Sequence, residues 1–359
     1  MSQSVRFRMI QILCCGICVC TTGCAWPMLD RSALVDPIGA LGGSGEIYTA
    51  AETRPQLSGD RLMQATPDEL LAFYAPIYVQ QYAEVSSEGF HYEHDSDLFG
   101  QPFLVGNSRG GMETKIDVSQ PSVYSHYDRR QIGSQSHVQL TYTLWYPRHP
   151  RTRRIDIEPG VIDSNVVRIT LDERNKPLIY ETVLACGCYH KVFVEQRLEE
   201  ASRASFGPPE HGKKYSIEKN ISFGFDFEVA GIVETPDDSP AAPVVFISSG
   251  EHKVQGLHSS AGLHWPTDTA AVHKYRLADY EELNSVPIAG SQSSGPVFNG
   301  LDDQQVYGAE RMERFLFMWI GTDDAGHPRR NDRILLHFDQ SAWMDPNLFH
   351  HYLRLPPGF

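Results

Sequence analysis

The residues best suited to chemistry lie at Cys186-Gly187-Cys188-Tyr189-His190, directly after an apolar strand pattern at Leu178 to Leu184. If that strand continues, side chains two apart share a face, and Cys186, Cys188 and His190 point the same way. Two thiolates and an imidazole are good ligands for zinc or copper(I). Three ligands leave a fourth position, for which His252 is the first candidate and His258 or His137 are others. Two further readings stand beside the metal site. The thiols can form a static bridge or stay buried with His190 hydrogen-bonded nearby, or they can exchange through a small strained disulfide. Only Gly187 separates the cysteines, so the Cys-x-x-Cys-His spacing of covalent haem is absent.

Gly106-Asn107-Ser108-Arg109-Gly110 matches the Gly-x-Ser-x-Gly pattern in which a strained turn exposes a serine nucleophile. That elbow needs a helix next, whereas Met112 to Pro121 reads as a short strand and turn. A glycine-rich hairpin turn is the preferred reading, and Ser108 is the nucleophile of the alternative one, with His252, His273 or His337 as its base. Glu181 shares a face with Val183 close to the Cys–His group and is a candidate base or supporting residue. Asp156, Glu158 and Asp163 read as solvated loop acids able to bind a cation, and His350-His351 as a helix-end pair. No phosphate loop or dinucleotide fingerprint is present, so no nucleotide cofactor is expected.

The chain start has a different character. Five of the seven cysteines lie between positions 14 and 24, so a disulfide-scaffolded body is excluded. Arg6 and Arg8 precede an apolar run, Met9 to Val19, too short to span a bilayer. Thr22-Gly23-Cys24 resembles the end of a bacterial lipobox, although Thr21 replaces the usual aliphatic residue. The resemblance implies cleavage before Cys24, diacylglycerol on its sulfur and an acyl chain such as palmitate on its new amine. Ala25 in second place resembles the pattern sorted to the outer membrane. The expected layout is a signal peptide over 1–23, a lipidated tether rich in Gly, Pro, Ser and Ala over 24–60, and one globular body over 61–359. The expected location is the outer membrane, facing the periplasm. With 31 Lys plus Arg against 45 Asp plus Glu, the net charge of −14 argues against a nucleic-acid partner.

Elements must hold these residues in place. Thr66-Pro67-Asp68-Glu69 is a capping-box pattern, and the apolar spacing after it predicts an amphipathic helix over about 67–83. His137 to Tyr146 alternates with period two and predicts a strand with one buried face. Val166 to Leu171 and Pro177 to Leu184, joined by Asp172 to Lys176, predict a hairpin. Further strands are expected at 121–132, 219–233, 242–249, 251–257 and 332–339, and short helices near 191–204, 278–284 and 345–353. The fold class is therefore α+β: β-rich, with a large, mainly antiparallel sheet, the helix at 67–83 and a few short helices. Residues 205–218 are the one place where a boundary within the body can fall. Arg148 to Arg154 holds the one basic cluster, read as a solvated loop, with anionic lipid as its alternative partner.

Taken together, the Tyr142 and Trp145 strand, Gly160, Asp163, Leu171-Asp172, Pro177-Leu178, the Cys-Gly-Cys-Tyr-His element, Glu313 to Phe317 and Asp345-Pro346 resemble a family of bacterial secreted or lipidated envelope proteins. The resemblance implies a shared fold and an envelope setting, and no particular reaction. The expected function is that of an outer-membrane lipoprotein of binding or accessory type, holding zinc or copper at the Cys/Cys/His site. The alternative is an envelope hydrolase using that metal or Ser108.

Overall fold

A computed structural model describes residues 45–220, 228–236, 240–261, 272–300, 304–309, 311–312, 326–336 and 341–359. The signal segment, Cys24 and Glu313 to Phe317 lie outside the described residues, as do parts of the strands expected at 219–233 and 332–339.

The first strand, β1 (Gly45–Ala50), is followed by α1 (Gly59–Met63), α2 (Pro67–Tyr74) and β2 (Ile77–Gln81). A hairpin, β3 (Gln101–Gly106) and β4 (Met112–Asp117), forms a sheet of its own. A long meander comes next: β5 (Ser122–Ile132), β6 (Gln135–His149), β7 (Gly160–Leu171), β8 (Pro177–Leu184) and β9 (Lys191–Glu195). After α3 (Gln196–Phe206) come β10 (Glu228–Val233), β11 (Pro243–Ile247), β12 (Val254–Ser259) and β13 (Val272–Asp279), and α4 (Leu348–Tyr352) lies near the C-terminus. Among the described residues the main sheet has eleven strands in the order β10-β9-β8-β7-β6-β5-β13-β1-β2-β11-β12. Its meander is antiparallel throughout, while β1–β13, β13–β5, β2–β11 and β9–β10 pair in parallel. Edge strands β10 and β12 approach one another, so the sheet curls almost to closure, which shields edges that would otherwise invite pairing.

Three expectations need correction. The capping box forms as read, with Thr66 Oγ1 accepting from the Glu69 amide at 3.3 Å and Glu69 Oε2 from the Thr66 amide at 2.8 Å. The helix it opens ends at Tyr74 rather than near 83, and Ile77–Gln81 is a strand. Pro76 explains the stop, because the residue before a proline is pushed out of helical backbone. Thr66→Ala is expected to lower the unfolding free energy by about 1 kcal/mol in a urea titration. Second, the tether does not run to residue 60. Gly45–Ala50 is β1, placed between β13 and β2, so the folded body begins no later than Gly45. Third, β6 is buried on both faces. Val138, Leu140, Tyr142, Leu144 and Tyr146 face the interior of the curl, but Trp145 and Thr143 on the other side are also fully buried. Trp145 packs with Tyr280, Leu283 and Phe298, so later chain segments cover the outer face of the sheet. Strand alternation therefore sorts two cores in this protein, not core from solvent.

Candidate metal centre

Odd-numbered residues of β7 face the interior, as Val167, Ile169 and Leu171 show, and Asp163 continues that phase. A carboxylate is thus carried into the end of an apolar interior with no exposed surface. Such a charge must be paired and hydrogen-bonded. Asp163 Oδ2 meets His149 Nδ1 at 2.9 Å and His252 Nδ1 at 2.8 Å, and Oδ1 accepts from Arg311 Nη2 at 2.8 Å. His149 ends β6, and His252 lies in the turn joining β11 to β12 with a left-handed φ of 51°. The ring of Tyr146 lies flat on the His252 ring, centroids 3.7 Å apart and planes 3° from parallel.

The second nitrogen of each imidazole is also directed at an acceptor. His252 Nε2 donates to the Ser96 carbonyl at 2.9 Å and stands 3.5 Å from Asp97 Oδ1. His149 Nε2 and Glu158 Oε2 face each other at 3.5 Å, both buried and neither in a hydrogen bond. Asp97 is itself fixed by the Gly250 amide at 2.6 Å and the Ser249 hydroxyl at 2.6 Å. Burial opposes charge on His252, but its bonds to Asp163 and Asp97 outweigh that penalty and raise its pKa to about 9. Burial likewise opposes the Asp163 carboxylate, yet Arg311 and His149 hold its pKa well below the usual range.

The N and O atoms of His149, Asp163 and His252 all lie within 4.8 Å of one another, the one group of three such ligands among the described residues. Backbone strain lies beside it. Ile162, next to Asp163, has φ 59°, a conformation β-branched residues rarely adopt. Strained residues of this kind gather where the surrounding structure is built for a site.

The set expected from the sequence is divided. Strand β8 ends at Leu184, and a turn follows in which Gly187 and Tyr189 have φ of 90° and 57°. The alternation on which a shared face depended is lost there. His190 turns to the outer face and meets Glu181 Oε1 at 3.0 Å. Cys186 and Cys188 are thiols, and Cys186 lies within electrostatic reach of Arg311 and Asp163. His252 is the only member of the expected set in the His–Asp–His group. Glu181 is fully buried, and Arg168 clasps it through Nε to Oε2 at 2.6 Å and Nη2 to Oε1 at 2.8 Å. That environment suits a fixed ion pair rather than a proton-transfer base. Ser108 sits exposed in the β3–β4 turn, whose amides at Arg109 and Gly111 bind Asn107 Oδ1. Strand–turn–strand is not the strand–turn–helix of a nucleophile elbow. No family model, curated protein or solved structure matches the chain.

Sequence reasoning missed His149, which sits inside the basic stretch, and took Asp163 and Glu158 for solvated acids. The basic loop is partly neutralised within the molecule. Arg148 pairs with Glu93 at 2.8 Å, Arg153 with Glu251, and Arg151 lies over the Phe90 ring at 4.8 Å.

Proposed function

We propose that this is a lipid-anchored envelope protein of binding type whose body holds a divalent transition metal, zinc first, through His149 Nδ1, Asp163 Oδ2 and His252 Nδ1. The observation that carries the reading is the pairing of three clustered ligand atoms with an outer acceptor for each imidazole. Metal-bound histidines characteristically donate their other N–H to a carboxylate or backbone carbonyl, the places taken here by Glu158 and Ser96. Two imidazoles and a carboxylate suit zinc, and the loss of thiolates from the set removes the main argument for copper(I). Ligands around zinc at about 2.0–2.1 Å stand roughly 3.3 Å apart, so ion entry asks each ring to withdraw by roughly 0.5 Å. His149 is 2% exposed and the other two are 0%, which favours a closed binding site over a hydrolytic one. The lipid anchor rests on the Thr22-Gly23-Cys24 signal, and Cys24→Ser is expected to abolish incorporation of labelled palmitate.

Calorimetric zinc titration of the metal-stripped protein tests the site. One ion per chain is expected, with binding lost in His252→Ala and affinity reduced by about 10–100-fold in Glu158→Gln. Entry of the ion must displace the His252 proton, so affinity should rise by about tenfold per pH unit up to about pH 9 and then level off. Failure of the stripped wild type to take up zinc, iron(II) or copper(II) would overturn the reading.

A further inference from the structure

The Cys-Gly-Cys turn plays no part in the His–Asp–His group, yet it is tightly specified. The Gly187 amide donates to the Leu184 carbonyl at 2.7 Å, and the Leu184 amide to the Cys188 carbonyl at 3.1 Å, closing residues 184–188 into a loop. Gly187 cannot be replaced there: a Cβ would lie 1.8 Å from the Leu335 carbonyl oxygen, at a φ already left-handed. On the far side the turn is held by Tyr189, whose hydroxyl bonds Glu158 and whose ring lies 3.8 Å beneath the Lys253 ammonium. A loop fixed at both ends keeps Cys186 and Cys188 in one tight turn, with a single residue between them. They differ in access, Cys186 being buried and Cys188 half-buried.

We propose that Cys186 and Cys188 are a reversible dithiol–disulfide pair that exchanges with external disulfides, Cys188 being the sulfur a partner reaches and Cys186 the resolving one. In the oxidising direction the Cys188 thiolate attacks an external disulfide, forming a mixed disulfide and releasing one thiolate. Cys186 then attacks the Cys188 sulfur, closing the Cys-Gly-Cys ring and releasing the second thiol. Two electrons and two protons pass from the pair to the external disulfide. In the reducing direction an external thiolate attacks Cys188, and Cys186 leaves as a thiolate. The hydrogen bond from Cys188, together with the Arg311 guanidinium, outweighs burial and lowers the pKa of Cys186, which makes it the better leaving group. A ring closed over one residue is strained, and strained disulfides are the readily reduced ones. None of this depends on a metal at His149, Asp163 and His252.

The test follows the tryptic peptide 175–191, which contains both cysteines, by mass spectrometry after the folded full chain is equilibrated in glutathione redox buffers with a chelator present. The expected result is a peptide lighter by two hydrogens in oxidising buffer, returning to the dithiol in reducing buffer. Cys186→Ser should accumulate glutathione on Cys188. Cys188→Ser should react at least about tenfold more slowly, its remaining sulfur being buried. A pair that stays reduced at every ratio overturns the proposal. So does a stable glutathione adduct on wild type, or a disulfide that reduced glutathione cannot open in the folded protein. The wild-type measurement decides the matter if a variant does not fold.

Discussion

Asp163→Asn is expected to lower the unfolding free energy by roughly 3–5 kcal/mol and to change how stability depends on pH. The side chain keeps its shape, so packing is preserved and the effect reports charge. Without the carboxylate, Arg311 and the doubly donating His252 remain buried beside one another with their principal counter-ion gone. Breaking a buried pair from one side costs far more than the pair contributes on balance, because the desolvation of the remaining charge is no longer offset. The pH signature follows from His252. Its folded pKa of about 9 lies above the ordinary value of 6.5, so its stabilisation is complete below about pH 6.5 and disappears as the pH rises through about 9. Over that window the wild type should lose about 3 kcal/mol, and the Asn variant should show little slope. Glu195 provides an internal reference. Burial lifts its pKa from 4.5 to about 7 against hydrogen bonds from Tyr180 and Thr235, so its contribution falls between those two values in both proteins. Urea titrations from about pH 5 to 9.5 separate the two windows. An Asn variant that keeps the full slope above pH 7 would show that Asp163 does not hold the His252 proton.

The elements that can be read from the sequence are those whose signals are local. The β7–β8 hairpin was legible because Asp172 accepts amides from Arg174 and Lys176 at 2.8 Å, a turn chemistry that residue types announce. The length of α2 was misjudged although Pro76 marks its end, because Ile77 and Tyr78 extend a helical apolar spacing that serves equally well in a buried strand. β1 was hidden by the glycine-rich tract before it. The metal centre was only partly legible for a different reason. Asp163 is 14 residues from His149 and 89 from His252, so sheet curvature brings them together and no spacing could. One signal was available: Asp163 shares the parity of Val167, Ile169 and Leu171, and an acid in the interior phase of a strand needs a partner. The Cys-Gly-Cys-Tyr-His element was conspicuous in sequence, but its reading as one face assumed a continuing strand, and the strand ends at Leu184 in a turn with Gly187 left-handed.

Arg168 and Glu181 should be strongly non-additive. They sit opposite one another on β7 and β8, and Arg168, five positions from Asp163 on β7 and so of opposite parity, puts the pair on the outer face. Both oxygens of Glu181 are engaged, by the Arg168 fork and by His190, and the guanidinium also donates to the Trp343 carbonyl at 3.1 Å and stacks on its ring at 4.5 Å. With Glu181 fully buried and Arg168 4% exposed, whichever charge is left alone is poorly solvated. Arg168→Met leaves a buried carboxylate with only His190 to oppose it, and Glu181→Leu leaves a buried guanidinium, so each is expected to cost roughly 3–5 kcal/mol. The double variant removes both desolvation penalties and keeps the volume under Trp343 filled. Its cost should be well below the sum of the singles and close to that of either one or less. Denaturant titration of the four proteins gives the coupling directly. Additive costs would mean that water or the His190 imidazole already compensates each charge, and that the outer centre is not the closed ion pair the burial indicates. The same comparison separates the two buried centres, since the outer pair lies apart from the His–Asp–His ligands and its variants should leave zinc stoichiometry unchanged.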